Sequence, residues 1–281
     1  SGFGFSPDLI WFKRRSVAGS HALVDKVRGS TKWFESSGTQ ADQTYANSNL
    51  NFDTDGVRLD YNGGYNNINQ NGTTYVAWGW DMGNTTATNT AGTITSTVRA
   101  NPTYGQSIVK WTGNGTTGHG LSSAPEMIIV KVRDATGAWW VWHKDLSNTS
   151  QGFLQLNTTA AEATNSSLWD NASPVTSTTI NANTAYINYA TDNYIAYCFH
   201  SVTGYSKIGS YTGSGSSGKV VTTGFAPAFV LVKNTGAAEN WAIVDNTRSP
   251  TNPATIALFP NSAEAEQDNA VNAVDFNSDN F

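Results

Sequence analysis

One short element occurs three times in this chain and constrains everything else. It reads Gly4-Phe-Ser-Pro-Asp-Leu-Ile-Trp-Phe-Lys13, then more loosely Leu121-Ser-Ser-Ala-Pro-Glu-Met-Ile-Ile-Val-Lys131, then Gly224-Phe-Ala-Pro-Ala-Phe-Val-Leu-Val-Lys233. Each copy passes from a proline through a short apolar strand to a lysine, so Pro7, Lys13, Pro125, Lys131, Pro227 and Lys233 mark equivalent positions. The offsets are 118 residues from Pro7 to Pro125 and 102 from Pro125 to Pro227. Spacing this wide predicts tandem domains rather than the short units of a solenoid. A chain that copies one module in tandem builds length, surface or valency more readily than a single active site.

Overlaying the copies reconstructs a unit. It opens with Gly105-Gln-Ser-Ile-Val-Lys-Trp-Thr-Gly-Asn-Gly115, echoed from Gly204 to Gly215, and the Thr-Gly-x-Gly tail predicts a turn in which Gly supplies positive φ. The Pro-strand follows. Next come a second strand (residues 20–25, 138–143 and 240–245) and a third (32–35, 152–156 and 255–259). The unit closes with Tyr75-Val-Ala-Trp-Gly-Trp80 or Tyr194-Ile-Ala-Tyr-Cys-Phe199. Short apolar or alternating runs bounded by Gly, Asn, Ser, Thr or Pro are strand signals, and helical periodicity is nearly absent. The Ala/Glu-rich stretches 158–164 and 263–268 read as one turn or a polar loop, and 83–97 as a linker or edge. The fold class is all-β, with tandem β-sandwich, jelly-roll-like units at 1–103, 104–203 and 204–281.

Only the middle unit is complete in this pattern. The first lacks the opening strand and the third lacks the closing strand. Two explanations stand side by side: a window on a longer repetitive protein, or strands supplied by neighbouring chains adding to open sheet edges. The second makes the chain a partner for itself, as a homo-oligomer or a head-to-tail filament.

Charged residues make up only 13% of the chain, with a net charge of −5, and Gly, Ser, Thr and Asn fill the surface instead. That composition suits a virion or extracellular location. No basic stretch exceeds Lys13-Arg14-Arg15, which argues against nucleic acid as a partner. No apolar run reaches the roughly 20 residues of a membrane span, and no signal peptide is visible at the start. Cys198 is the one cysteine and lies in an apolar strand, so it reads as a small buried hydrophobe.

These motifs resemble a family of repeats found in tail-fibre and other virion surface proteins of tailed bacteriophages, especially marine ones. The residues that carry the resemblance are the Gly-Phe-x-Pro elements at 4–13 and 224–233, Phe52-Asp-Thr-Asp-Gly56, Tyr75-Val-Ala-Trp78 and the Gly-Tyr-Ser…Tyr-Thr-Gly-x-Gly run at 204–215. An Asp…Arg step joins them, as Asp25-Lys-Val-Arg28 and Asp245-Asn-Thr-Arg248; the middle unit departs from it, with His143 and Leu146. The resemblance implies a structural or attachment role and transfers no catalytic residue.

Asp25 and Arg28 read as a structural ion pair. Asp53 and Asp55 lack the remaining oxygen ligands of a calcium loop and read as a tight turn. His21, His119, His143 and His200 show no metal-ligand spacing, and no cofactor or catalytic residue is expected. No nucleophile elbow is present. On the second strand of the middle unit, Trp140 and Trp142 share one face, where the other units carry Ala and Val. They mark either a larger core or an aromatic platform for sugar rings or a neighbouring subunit. Tyr61, Tyr65 and Tyr104, in Gly/Asn-rich loops, are ligand candidates of the same kind. The expected function is a non-enzymatic virion or extracellular structural protein, a tail-fibre or adhesion module that binds a host surface or glycan. The alternatives are a self-assembling filament subunit joined by strand complementation, and a polysaccharide-degrading virion enzyme.

Overall fold

The structure, a computed structural model, describes residues 2–45, 49–60, 68–170, 172–183 and 186–281. Among them the fold is essentially all-β, built from several antiparallel sheets. Among the described residues no helix is long and apolar enough to cross a membrane. The stretches 158–164 and 263–268 are extended, ending in the edge strands Ala163–Thr164 and Gln267–Asp268.

The three Pro-strands are Leu9–Arg14, Met127–Val132 and Phe229–Val232. Each pairs with a second strand: Ala22–Asp25, Trp140–His143 or Ala242–Asp245. The register is the same in all three, with Leu9 opposite Asp25, Met127 opposite His143 and Phe229 opposite Asp245. The third strand continues that register, placing Phe34 opposite Leu23, Leu154 opposite Val141 and Leu258 opposite Ile243. In the first two copies the other edge of the Pro-strand takes a closing strand, Tyr75–Trp80 or Asn193–Phe199, again in matching register: Trp11 faces Trp78 and Ile129 faces Tyr197. We refer to the three regions as the first, middle and last thirds.

The middle third carries the largest sheet. Its eight strands run in the order Ala163–Thr164, Gly152–Gln155, Trp140–His143, Met127–Val132, Asn193–Phe199, Gln106–Thr112, Ser96–Asn101, Thr86–Asn89. The Asn/Thr-rich stretch between the first two thirds therefore becomes the edge of the middle sheet. The opening strand Gln106–Thr112 pairs along its whole length with the closing strand. After it, Gly113 answers to close approach rather than to positive φ, because a Cβ there would lie 2.2 Å from the Tyr189 carbonyl oxygen.

Period-two alternation sends each strand's side chains into two different cores. Leu9, Trp11 and Leu23 enter the same cluster as Ile129, Trp139 and Val141, and as Trp241 and Ile243. One core is thus shared by all three thirds. The opposite faces are covered separately. Ile10, Phe12, Ala22 and Val24 pack under Leu50 and Ile68; Ile128, Val130 and Trp142 pack under Leu168, Trp169 and Ile187; Val244 and Ala257 pack with Ala254. Burial on both faces explains why the Pro-strands read as continuous apolar runs rather than alternating ones.

Candidate functional site

The polar chemistry of the chain is concentrated at the seams where one third meets the next. At the position two residues before Leu23, Val141 and Ile243 stand His21, Trp139 and Trp241, all buried. Each ring carries its nitrogen across a seam to an equivalent backbone carbonyl. Trp139 Nε1 donates to Glu35 O at 2.9 Å, and Trp241 Nε1 donates to Gln155 O at 3.0 Å. His21 Nε2 lies 2.9 Å from Phe259 O. Trp11 Nε1 donates to His21 Nδ1 at 2.7 Å, so the proton sits on Nε2, which donates to that carbonyl. The direction is middle to first, last to middle, first to last: the three thirds close into a ring.

A second set, in the backbone, spans the same three seams in the opposite sense. The N–H of Asp42 donates to Arg133 O at 2.6 Å, that of Glu162 to Thr235 O at 2.8 Å, and that of Glu266 to Arg15 O at 3.0 Å. Asp42, Glu162 and Glu266 each stand immediately before a short edge strand, Gln43–Thr44, Ala163–Thr164 or Gln267–Asp268; Arg133, Thr235 and Arg15 lie two residues after the marker lysines.

Two seams add a buried ionic cluster. Between the first and middle thirds, Arg28 Nε donates to Asp25 Oδ2 at 2.5 Å and Arg28 Nη1 to Asp42 Oδ1 at 2.8 Å, while Arg133 Nη2 reaches Asp42 Oδ2 at 2.9 Å. The Tyr197 hydroxyl, from the middle third's closing strand, donates to Asp25 Oδ2 at 2.8 Å. Between the last and first thirds, Arg248 Nε donates to Asp245 Oδ2 at 2.6 Å and Arg15 Nε to Glu266 Oε2 at 2.8 Å. There Trp78 Nε1 takes the place of the tyrosine, at 3.2 Å from Asp245 Oδ2. The Asp…Arg step of the sequence is this buried pair. Complete burial of Arg28 and Asp25 is tolerable because each finds several partners.

The seam between the middle and last thirds has none of this. His143 and Leu146 replace the Asp and Arg, Thr235 stands in place of an arginine, and Glu162 turns to Ser147 instead, accepting from its N–H at 2.8 Å.

The marker residues serve the same frame. Pro7, Pro125 and Pro227 are buried where each Pro-strand begins. Lys13, Lys131 and Lys233 lie on the shared-core face and donate to the carbonyl of the next residue at 2.9, 3.0 and 2.6 Å. Burial, and then the neighbouring Arg14 guanidinium, pulls the Lys13 ammonium down to about 8. Burial does the same to Lys131, also to about 8, against the pull of Asp42. His21 is held well below its ordinary value by burial. Burial lifts the Tyr197 phenol well above its own value and raises Cys198 to about 12. Cys198 is buried and free of any disulfide.

Of the aromatic ligand candidates, Trp142 is buried, with its Nε1 donating to Thr149 O at 2.8 Å. Trp140 is half-buried, packed edge-on against Phe153 at 5.0 Å with Tyr186 at 5.9 Å. The pair belongs to the middle third's outer core, and only the Trp140–Tyr186 margin faces outward. Tyr104 is exposed and stacks on Tyr205, with centroids 4.6 Å apart and planes 22° from parallel. Tyr205 was not singled out by the sequence; it sits one residue into the copy of the opening motif, and only folding brings it to Tyr104. Tyr61 and Tyr65 lie outside the described residues. Asp53 and Asp55 belong to the hairpin of Asn49–Asp53 and Gly56–Asp60, where Asp55 Oδ1 accepts from Gly4 N at 2.7 Å.

These contacts define an all-β protein whose three thirds close a ring on one core within a single polypeptide. The chain belongs to a family described as a domain of unknown function, DUF7483, whose model matches residues 1–281. Neither a curated protein nor a solved structure matches it.

Proposed function

We propose that this chain is a non-enzymatic structural component of a virion or extracellular surface, an attachment module that presents a rigid face to a host surface or glycan. The observation that carries the reading is the ring of seams. Tyr197, Arg133 and His21, polar groups of the kind that an enzyme places in a cleft, direct their hydrogen bonds across boundaries between thirds, Tyr197 and Arg133 onto the Asp25 and Asp42 carboxylates. Their chemistry is used to hold three sheets together. The resemblance of the repeat to phage tail-fibre sequences supports the same reading. The stacked Tyr104–Tyr205 pair supplies an exposed aromatic surface of the kind that packs against sugar rings. Binding to an array of bacterial surface glycans tests it: saturable binding is expected, lost in Tyr104→Ala/Tyr205→Ala with the melting temperature unchanged. A chain that binds no glycan and no host cell would remove the attachment role.

A second reading, a subunit that self-assembles by strand addition, is favoured by the last Pro-strand, which stands at the edge of its sheet. Sedimentation of the intact chain across a concentration series is expected to show growing species; a single monomer boundary throughout counts against it.

A further inference from the structure

The outer face of the middle third carries more aromatic surface than it buries. The shared register makes Trp140 equivalent to Ala22 and Ala242, and Phe153 equivalent to Trp33 and Ala257. In the first third a small residue stands beside a large one, and Ala22 and Trp33 are both buried in one cluster. In the last third both positions are alanine. The middle third alone sets two large rings together, 5.0 Å apart and edge to face, and both stay half-buried. Tyr186 then lies against Trp140 at 5.9 Å, itself 49% exposed.

Polar groups border these rings. Gln155 stands directly opposite Trp140 in the antiparallel ladder, and Phe153 lies two residues before it, so the three side chains project from one face. The Gln155 side chain is half-exposed. Its amide, the Trp140 indole N–H and the Tyr186 hydroxyl have no hydrogen-bond partner among the described residues. The neighbouring tryptophans differ: Trp139 and Trp142 both donate from Nε1 to backbone carbonyls. Trp140, Phe153, Gln155 and Tyr186 are all uncharged.

We propose that Trp140, Phe153, Gln155 and Tyr186 form a binding site for a neutral pyranose. The rings take the apolar C–H face of the sugar, while the indole N–H, the amide and the phenol bond its hydroxyls. Aromatic walls with a few polar groups are what small-molecule sites are made of. The rings alone would also suit a quaternary ammonium. That ligand offers no acceptor to the indole N–H and no hydroxyl to the amide, whereas a hexose uses every group. An acidic sugar would meet no cation among the four residues. The site deepens the attachment reading and rests on it for its biological role, adding a second sugar contact to the Tyr104–Tyr205 stack. Attachment to a glycan surface uses both contacts at once and is lost with either, but a single sugar reads this site by itself.

The probes are the methyl β-glycosides of glucose and galactose, titrated separately into the intact, isotope-labelled chain, with glucuronate and choline as controls. The readout is the indole N–H resonance of Trp140, assigned by its loss in Trp140→Phe. Saturable movement at millimolar sugar is expected with at least one glycoside, and it should persist in Tyr104→Ala/Tyr205→Ala. In that double-variant background, affinity read by saturation transfer to the sugar should fall at least tenfold in Trp140→Ala. Gln155→Leu should lower it roughly three- to tenfold, the loss of one or two hydrogen bonds. Gln155→Leu keeps the rings in place, so the test stays decisive even where Trp140→Ala fails to fold. A Trp140 resonance unmoved by both glycosides overturns the proposal. So does an equal response to choline or glucuronate, a shift that vanishes in Tyr104→Ala/Tyr205→Ala, or unchanged affinity in Gln155→Leu. Glycan binding that needs Tyr104 and Tyr205 while Trp140 stays unmoved removes this site and leaves the attachment reading. Sugar that moves Trp140 in a chain attaching to no host surface keeps the site and removes that reading.

Discussion

The seam between the first and middle thirds and the seam between the middle and last thirds are built on the same backbone, yet they hold together differently. Both carry a Trp Nε1 to a third-strand carbonyl, Trp139 to Glu35 and Trp241 to Gln155. Both carry the backbone bond, from Asp42 to Arg133 and from Glu162 to Thr235. The first then adds Asp25, Arg28, Arg133 and Tyr197; the second has His143, Leu146 and Thr235. The difference follows the closing strand. Where a neighbouring closing strand brings an aromatic donor over the seam, a buried carboxylate waits for it, and an arginine neutralises that carboxylate. In the second seam His143 and Leu146 stand at those positions, so no lone buried carboxylate is left to desolvate.

The largest expected effect comes from breaking the charged seam on one side. Arg28→Ala leaves Asp25 buried without its main partner and should cost about 3–5 kcal/mol in urea unfolding. The double change Asp25→His/Arg28→Leu imports the composition of the quiet seam and should recover most of that loss; equal losses in single and double variants would show that the two seams are not interchangeable. Removing only the donor is milder. Tyr197→Phe takes one hydrogen bond from a buried carboxylate and should cost roughly 1.5–3 kcal/mol.

The remaining seam, between the last and first thirds, sharpens the comparison through size. Its ring position is His21 rather than Trp, and the side chain opposite is Trp11 where the other thirds have Ile129 and Leu231. His21→Trp alone overfills the shared core and should cost about 1–3 kcal/mol. Trp11→Leu/His21→Trp copies the last third and should return most of it. Chevron or equilibrium melts of the three proteins check this, and an additive double variant would contradict it.

The acid response is read within one protein, from His21 at that seam and His119 inside the middle third. His21 and His119 are both buried and held neutral, His119 at about 4, each mainly by burial. The unfolded chain protonates them below about pH 6.5 and the folded chain does not, so the unfolded state binds more protons there and stability falls as the pH falls. Each contributes a slope of about 1.4 kcal/mol per pH unit below that point, and that of His119 ends near 4. Urea midpoints measured between pH 7 and 5 should show the decline, and Trp11→Leu/His21→Trp should remove the share due to His21.

Strand positions were open to reading from the sequence because they depend on local pattern. The Pro-strands, the second strands and both closing strands fall where the apolar runs lie, and Trp139 and Trp140 go to opposite faces as alternation requires. The Asp…Arg step was legible as a structural pair because spacing of three residues brings the two side chains together locally. The seam network was written less openly. An aromatic or imidazole N–H at 21, 139 and 241, and a carboxylate at 42, 162 and 266, recur in all three copies. The overlay shows that they recur but not which third each one faces. Of the Tyr104–Tyr205 stack the sequence offered Tyr104 as a loop candidate but not its partner, because Tyr205 lies 101 residues away and only folding brings the two together.

Sequence alone thus determined the all-β class and the placement of the strands, because strand propensity and period-two burial act over a few neighbouring residues. Tertiary structure decided that the copies share one core and close a ring, and that Trp142 lies inside rather than on a platform. It also decided that the last Pro-strand keeps an open edge. Those outcomes depend on which sheet meets which across long stretches of chain, from 86 residues between Gln155 and Trp241 to 238 between His21 and Phe259. A hydrogen-bond donor chooses its partner by where the completed sheets bring it, and nothing in its own neighbourhood specifies that.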